Sequence, residues 1–135
     1  MAEKTLVLEV VTPDRQVVQT EADIVVLPGV QGQFGVLVNH IPFLSALEIG
    51  EMYYRKGGQI EYLFIGGGFA EVTGEKVTVL ADSAELGKEI DVERARRARE
   101  RAEKRLAAGR VADIDWARAE AALRRAVARM KVATR

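Results

Sequence analysis

Apolar residues follow two different periods along this chain, and the period changes within residues 85–95. Before that stretch, short apolar runs alternate with polar residues and end at glycine, proline or aspartate, which is typical of strands joined by turns. After it, apolar residues recur every three or four positions, which is typical of amphipathic helices. The pattern therefore predicts a β domain followed by a helical domain, with the boundary after residue 86.

The first domain, residues 1–86, is predicted to be an antiparallel β-sandwich or barrel. Its apolar runs lie roughly 8–12 residues apart and no helical stretch alternates with them, so a parallel sheet is not expected. We expect the chain to bend at Gly50 and to break its strand pattern at Gly66-Gly67-Gly68. The predicted strands cover residues 6–11, 16–19, 22–27, 36–38, 45–55, 60–65, 69–72 and 77–81.

The second domain, residues 87–135, is predicted to be an antiparallel hairpin of two helices. Asp91 is placed to cap the first helix, Gly109 to stop it, and Asp113 or Asp115 to cap the second. The apolar stripe of the first helix is Val92, Ala95, Ala98, Ala102 and Leu106, and that of the second is Trp116, Ala119, Leu123, Ala126 or Val127, and Met130. Because both stripes are rich in alanine, each helix buries little area, and we expect the hairpin to be a moving part.

The two domains carry opposite charge, although the chain of 135 residues is neutral overall. Residues 1–87 hold 5 Lys and Arg against 12 Asp and Glu, a net charge of −7, whereas residues 88–135 hold 15 against 8, a net charge of +7. The basic helices suit either a nucleic acid or an acidic protein surface. The absence of a signal-peptide pattern, and of any apolar run near the ~20 residues that cross a bilayer, favours the cytoplasm.

Few residues are suited to catalysis or to metal binding. Gly29, Gly32 and Gly35 recur every third residue but match neither a Walker loop nor a dinucleotide loop, because a strand follows them, so we interpret them as a tight connection between sheets. His40 is the only histidine and the chain has no cysteine, so a zinc site would need carboxylates for the rest of its ligands. We therefore expect a structural or interface histidine, no metal and no catalytic site.

The stretch that joins the two domains holds the most informative charges. Arg94 lies in the first turn of the predicted helix, where the helix dipole favours acidic groups, so this cation beside free N–H groups suits an anion. Arg101, Arg125 and Arg129 lie on the two helices and can converge on the same place if the hairpin folds back. On this pattern alone, ordinary surface charge is the simpler interpretation.

Taken together, the motifs resemble those of the ε subunit of the bacterial F-type ATP synthase, and the resemblance covers essentially the whole chain. In one-letter code they are VTPDR at 11–15, GQFGVLVNHIPFL at 32–44, GGGFAEV at 66–72, KVTVLA at 76–81, Glu85 with IDVERA at 90–95, and DIDWARA at 113–119. No single motif is decisive, but their order and spacing together are specific.

The resemblance implies a β-sandwich of about ten strands followed by a helical hairpin, in a non-catalytic subunit of the rotating central stalk. It implies that the sandwich binds the γ subunit and the c-ring. The hairpin would permit turnover when folded on the sandwich and block ATP hydrolysis when extended into the αβ hexamer. Such a subunit couples proton-driven rotation to ATP synthesis at the cytoplasmic face of the bacterial inner membrane, and it associates with the membrane only through the complex.

The resemblance also implies two sets of site residues. ATP, as a regulatory ligand and not a required cofactor, is expected at Glu85, Ile90, Asp91, Arg94, Ala95, Arg101, Arg125 and Arg129. The interface with γ and the c-ring is expected at Gln31, Gly32, Gln33, Phe34 and His40. Two residues depart from the family pattern: Gln33 stands where an acidic residue is usual, and Asn39 stands where glycine is usual, although asparagine tolerates positive φ.

Two other functions stay open on the sequence alone. A basic helical adaptor for nucleic acid would be retained on DNA or RNA in a salt-sensitive way. A free-standing carrier of a small ligand would be a monomer that needs no γ subunit.

Overall fold

A computed structural model of the chain describes residues 5–109 and 113–135. In these ranges the β domain contains β1 (Leu6–Val11), β2 (Gln16–Ala22), β3 (Ile24–Gly29), β4 (Gly32–Val36), β5 (Phe43–Lys56), β6 (Gln59–Thr73), β7 (Lys76–Ala81) and β8 (Ala84–Leu86). A short 3-10 turn, Gly87–Glu89, leads into α1 (Val92–Ala107), and α2 (Asp113–Ala133) follows. Neither helix, over the part described, combines the length and apolar character that crossing a bilayer requires.

The strands form one sheet that folds over on itself into two layers. Their order is β2-β1-β7-β6-β5-β3-β4, and β8 pairs with β6. β6 belongs to both layers, since its segment 68–73 pairs with β7 and its segment 63–65 pairs with β8. The predicted antiparallel sandwich is confirmed as the fold class, with one exception: β1 and β7 pair in parallel. Periodicity does not reveal such a pair, because the two strands are far apart in the sequence.

Glycine bends the long strands without ending them, so the described residues form eight strands and not about ten. β5 continues through Gly50, and β6 continues through residues 66–68. Gly67 and Gly68 have φ values of 92° and 134°, and a Cβ atom on Gly68 would collide with the carbonyl oxygen of Leu80. Glycine is therefore required where β6 turns from one layer to the other.

The glycine-rich stretch that we interpreted as a connection between sheets is a β-hairpin. β3 and β4 pair antiparallel with Gly29 opposite Gly32, so the strand predicted at residues 36–38 lies instead at Gly32–Val36. A Cβ atom on Gly29 would lie 2.8 Å from the carbonyl oxygen of Gly32. The close approach of the two backbones explains the glycines without any phosphate ligand.

The core of the sandwich fills the space between the layers. Inward residues alternate along the strands, so that Leu6, Leu8 and Val10 of β1 pack with Leu63 and Ile65 of β6. Among the described residues, no polar or charged residue is buried. The sandwich is thus a well-packed apolar platform, and its polar groups lie on the surface.

The two helices pack through the small residues of their predicted stripes, but Val92, predicted as the first stripe residue of α1, is exposed. Asp91 caps α1 by accepting a hydrogen bond from the N–H of Arg94 at 3.1 Å, and Ala95 and Ala102 are buried. On α2, Ala126 is buried while the alternative stripe residue, Val127, is exposed. α2 begins at Asp113, which places Asp115 inside the helix; the capping contact predicted for Asp113 lies outside the described residues.

The hairpin docks on the outer surface of the sandwich through a second, smaller apolar cluster. This docking cluster consists of Phe64 on β6, Ile90, and Ala128 and Val132 on α2. Ile90 belongs to the segment 87–91 between β8 and α1, which we call the hinge. Gly87 allows the approach, because a Cβ atom there would lie 3.3 Å from the carbonyl oxygen of Val132. The hairpin is therefore folded against the sandwich in this structure.

Ion pairs add to this docking along β5. Arg124 pairs with Glu48 at 2.8 Å, and Arg135 pairs with Glu51 at 2.6 Å. Arg124 and Glu48 are both exposed, and an exposed ion pair contributes about 0–1 kcal/mol because water and salt screen it. The side chain of Glu51 is only 11% exposed, so its pair with Arg135 is screened less. The hairpin is thus held by a small apolar contact and by a few charge pairs.

Candidate functional site

A cavity of about 530 Å³ lies where the hinge and both helices meet the sandwich. Four parts of the chain build its wall: the β1–β2 turn, the segment from β7 to β8, the start of α1, and one face of α2. The lining residues are Thr12, Asp14, Arg15, Asp82, Ser83, Ala84, Glu85, Glu89, Asp91, Arg94, Ala95, Ala98, Arg101, Ala122, Arg125 and Arg129. We call this the hinge cavity.

Seven of the eight residues expected to bind ATP line the hinge cavity. They are Glu85, Asp91, Arg94, Ala95, Arg101, Arg125 and Arg129. The eighth, Ile90, does not line it; its side chain is buried in the docking cluster. The folded hairpin thus brings the predicted residues together, and ligand binding by them stays a prediction.

Five arginines and five carboxylates line the cavity, so its formal charge is balanced, but not every charge has an ion-pair partner. Arg129 pairs with Glu85 and Arg15 pairs with Glu89. In contrast, Arg94, Arg101 and Arg125 form no ion pair with any residue that the structure describes. These three guanidinium groups are the ones that a polyvalent anion could pair with, whereas Asp14, Asp82 and Asp91 of the same lining would repel it.

The first turn of α1 explains why Arg94 is placed there. The Asp91 carboxylate accepts from the backbone N–H of Arg94, so the helix already has an acidic cap. Arg94 itself is exposed on the cavity side and not needed for capping. The guanidinium group of Arg94 therefore lies beside the start of a helix on the cavity wall, and anion binding at this corner stays a prediction.

Arg129 is held in place by two contacts with the sandwich. Its Nε donates to a carboxylate oxygen of Glu85, and its guanidinium carbon lies 4.3 Å from the ring centre of Phe64. A planar guanidinium group stacks well on an aromatic face. Arg129 is thus pre-oriented, and it links α2 with β6 and β8 at the edge of the cavity.

The β1–β2 turn is the part of the cavity that sequence reasoning missed. Arg15 donates two hydrogen bonds to Glu89, at 3.0 and 3.1 Å. The hydrogen bond and charge of Glu89 raise the pKa of Arg15 above its ordinary value. Hydrogen bonds from the Arg15 side chain, and then from the backbone of Leu86, lower the pKa of Glu89. Because the two residues are 74 positions apart, no local motif signals their contact.

The five residues expected to contact γ and the c-ring lie together at one end of the sandwich. Gln31, Gly32, Gln33, Phe34 and His40 line a second, shallow cavity of about 430 Å³. Phe43 packs between two of them, with ring centres 5.2 Å from Phe34 and 5.1 Å from His40. These rings hold the β3–β4 hairpin against the start of β5, and the interface role of the five residues stays a prediction.

His40 and Asn39 lie in the loop between β4 and β5. The Nδ1 atom of His40 lies 2.8 Å from the carbonyl oxygen of Ile41. Asn39 has φ of 66°, which confirms that asparagine takes the conformation usually given to glycine here. No group of three or more possible metal ligands occurs within residues 5–109 and 113–135.

An exposed apolar row crosses the outside of the sandwich. Phe69 on β6 lies opposite Leu80 on β7 and Ala46 on β5, and Leu44 follows on the same face of β5. The side chain of Phe69 is 54% exposed and Leu44 and Leu80 are also exposed. We call Leu44, Phe69 and Leu80 the apolar row; a contiguous exposed apolar surface of this kind marks an interaction site.

Comparison with known proteins places the whole chain in one family. The family model described as ATP synthase, Delta/Epsilon chain, beta-sandwich domain, matches residues 5–87. The model described as ATP synthase, Delta/Epsilon chain, long alpha-helix domain, matches residues 88–134. Proteins named ATP synthase epsilon chain are 56% identical over 130 residues in Nitratidesulfovibrio vulgaris, covering 96% of both chains, and 55% identical over 133 residues in Syntrophobacter fumaroxidans, covering 98% of both.

Solved structures agree on the fold. A chain from the mitochondrial ATP synthase of Euglena gracilis, determined as an OSCP/F1/c-ring assembly, has a TM-score of 0.83 at 23% identity and covers 98% of this chain and 83% of that one. A chain from the central stalk and c-ring of the Tetrahymena thermophila mitochondrial enzyme has a TM-score of 0.65 at 10% identity, covering 98% and 99%. Since the two family models cover residues 5–134 and the relatives exceed half identity over nearly the full length, the chain belongs to the ATP synthase delta/epsilon chain family.

Proposed function

We propose that this chain is the ε subunit of a bacterial ATP synthase, a non-catalytic part of the central stalk that couples rotation to ATP synthesis and restrains ATP hydrolysis. The supporting relatives are named ATP synthase epsilon chain and match nearly the full length. Two solved structures with a similar fold come from assemblies with a c-ring. The nucleic-acid alternative finds no support in the family models or in these relatives. In this function the subunit lies at the cytoplasmic face of the inner membrane, attached through the complex.

The sandwich is the part that anchors the chain to its partners. The apolar row of Leu44, Phe69 and Leu80 offers the γ subunit a surface that loses water on binding. The β3–β4 hairpin with Gln31, Gln33 and His40 offers polar groups for the c-ring. Gln33 stands where an acidic residue is usual in the family, so its side chain carries no charge. It would therefore contact the c-ring through a hydrogen bond and not through an ion pair.

The hairpin is the mobile inhibitory element of the chain, which we call the brake. The observation that carries this proposal is the small size of its docking surface on the sandwich. α2 and the residues that follow it contact the sandwich through the docking cluster, a few ion pairs and the stacking of two arginines on Phe64 and Tyr62, whereas the sandwich core is a larger, separate cluster. The hairpin can therefore leave without unfolding the sandwich. Extended, its basic helices reach the αβ hexamer and block hydrolysis.

ATP is the ligand that we assign to the hinge cavity, as a regulator. Its phosphates would lie among Arg94, Arg101 and Arg125, which have no ion-pair partner in the described chain. These three residues come from both helices, and the cavity also includes sandwich residues. A ligand that binds only the folded arrangement stabilises it by RT ln(1 + [L]/Kd). ATP would thus hold the brake off.

The anchoring role is tested by Phe69→Asp in the full chain. The substitution places a charge in the apolar row and is expected to weaken binding to the γ subunit by at least about tenfold, since desolvating an unpaired carboxylate costs more than about 1.4 kcal/mol. The measurement is the affinity for purified γ by surface plasmon resonance, with co-purification of the wild-type pair as the prerequisite.

Ile60→Asp is the matched control for this experiment. Ile60 is also an exposed apolar residue of β6, but it lies next to the β5–β6 turn, opposite Arg55. Its substitution is expected to leave γ binding within about twofold, because an exposed site away from the interface is not desolvated. Equal losses in both variants would contradict the apolar row as the interface, and absence of any wild-type complex would contradict the proposed function.

A further inference from the structure

The β1–β2 turn presents Arg15 to the hinge in a fixed orientation. The hydroxyl oxygen of Thr12 accepts from the backbone N–H groups of Asp14 and Arg15 at 3.3 and 3.2 Å. The backbone N–H of Thr12 donates to the carbonyl oxygen of Arg15 at 2.9 Å. These bonds close the turn around the backbone of Arg15, so that only its side chain remains to be ordered.

The side chain of Arg15 is ordered by Glu89 at the other side of the hinge cavity. Its two terminal nitrogens each donate to a different carboxylate oxygen of Glu89, at 3.0 and 3.1 Å. This paired geometry uses the planar guanidinium fork, which a lysine does not reproduce. Both side chains line the hinge cavity.

Glu89 in turn organises the hinge itself. Its Oε1 atom accepts a hydrogen bond from the backbone N–H of Leu86 at 3.1 Å, which closes the 3-10 turn. The next residue, Ile90, enters the docking cluster, and the one after it, Asp91, caps α1. A displacement of Glu89 is therefore passed along the chain to the helix start that carries Arg94.

We propose that Arg15 is a positioning residue of the nucleotide site. Its paired hydrogen bonds to Glu89, which we call the clasp, connect the β1–β2 turn to the hinge and hold the first turn of α1 in the arrangement that binds the anion. The inference rests on the proposed function in one respect, that the hinge cavity binds ATP. Arg15 acts through Glu89 and does not itself bind the phosphates.

The direction in which two substitutions change the affinity for ATP distinguishes a positioning role from simple electrostatic attraction. If the cavity only attracts anions by charge, Arg15→Ala weakens ATP binding, whereas Glu89→Gln removes a negative charge and strengthens it. If Arg15 positions the hinge through Glu89, both substitutions weaken ATP binding by about fivefold, and the double substitution weakens it no further than either alone. Calorimetric titration of the full-length chain with ATP measures all three.

Two further variants sharpen this experiment. Arg15→Lys keeps the charge but loses the fork, and it is expected to weaken binding nearly as much as alanine. Arg55→Ala removes an exposed arginine whose nearest carboxylate, on Asp23, is 3.8 Å away and which does not line the hinge cavity, so it is expected to leave the affinity unchanged. Full affinity in Arg15→Lys, or tighter binding in Glu89→Gln, would overturn the positioning role.

Amide hydrogen exchange without nucleotide gives a second readout that does not depend on ATP. The proposal predicts faster exchange at residues 86–95 in both Arg15→Ala and Glu89→Gln, with unchanged exchange in β1 and β6. If wild-type chain binds no ATP but the exchange changes as predicted, the clasp stands and the nucleotide proposal fails. Unchanged exchange at the hinge, with ATP binding intact, overturns the clasp alone.

Discussion

Arg94→Ala is expected to weaken ATP binding by roughly 10- to 100-fold, because a hydrogen bond to a charged group contributes about 1.5–3 kcal/mol. Arg94 lines the hinge cavity at the first turn of α1, and it forms no ion pair in the part of the chain that the structure describes. Its side chain is therefore available to the phosphates without first breaking another contact. Calorimetric titration of the full-length chain with ATP provides the measurement.

Arg97→Ala is the matched control for Arg94→Ala. Arg97 is an exposed residue of the same helix, three positions further on, and it does not line the hinge cavity. The substitution changes the net charge and the helix propensity equally, so it is expected to leave the affinity within about twofold, as screening of exposed charges predicts. Equal losses of ATP affinity in both variants would mean that the affinity depends only on the overall charge of the hairpin.

Binding at this cavity would be coupled to the position of the hairpin, because the site exists only when the hairpin is folded. Arg101 lies on α1, Arg125 lies on α2, and Glu85 lies on β8. At an ATP concentration of 100 times Kd, the folded arrangement gains about 2.7 kcal/mol. A gain of this size exceeds what one exposed ion pair of the docked hairpin contributes, so nucleotide would shift the balance toward the folded arrangement.

The helical domain was largely predictable because its signals are local. The N-cap of Asp91 needs only the next three residues, and a period of three to four residues identifies Ala95 and Ala102 as the packing face. The period alone does not decide whether Ala126 or Val127 belongs to the packing face, because that depends on contacts with α1 and with the sandwich. The convergence of Arg94 with Arg125 came from family resemblance, since residues on different helices share no local pattern.

The sandwich was less predictable in detail because its pairings are distant. The glycines at residues 66–68 predict a strand break, but β6 runs through them because it pairs with β7 on one side of the bend and with β8 on the other. The apolar row was missed for a similar reason: alternation shows that Phe69 and Leu80 point away from the core, but only the cross-strand register shows that they are neighbours. Arg15 and Glu89 meet through the same long-range folding.

Val132→Asp is expected to release the hairpin from the sandwich while leaving the sandwich folded. Val132 is 2% exposed in the docking cluster, and its backbone lies against Gly87. An unpaired carboxylate at this place costs several kcal/mol, which shifts the ratio of docked to released hairpin by a factor of about 100 or more. Amide exchange in α2 should therefore accelerate, and ATP hydrolysis by the reconstituted holoenzyme should fall, because the released hairpin is the one that inhibits.

Val127→Asp and removal of the hairpin are the comparisons that make this result decisive. Val127 lies on the same helix but is 47% exposed, so its substitution adds the same charge and is expected to leave both docking and hydrolysis unchanged. A chain that ends after residue 87 lacks the brake and is expected to hydrolyse ATP faster within the holoenzyme. Release of the hairpin is thus expected to lower the rate of ATP hydrolysis by the holoenzyme, and its removal to raise that rate, although both take the hairpin off the sandwich. If Val132→Asp accelerated hydrolysis as truncation does, the docked hairpin and not the released one would be the inhibitor.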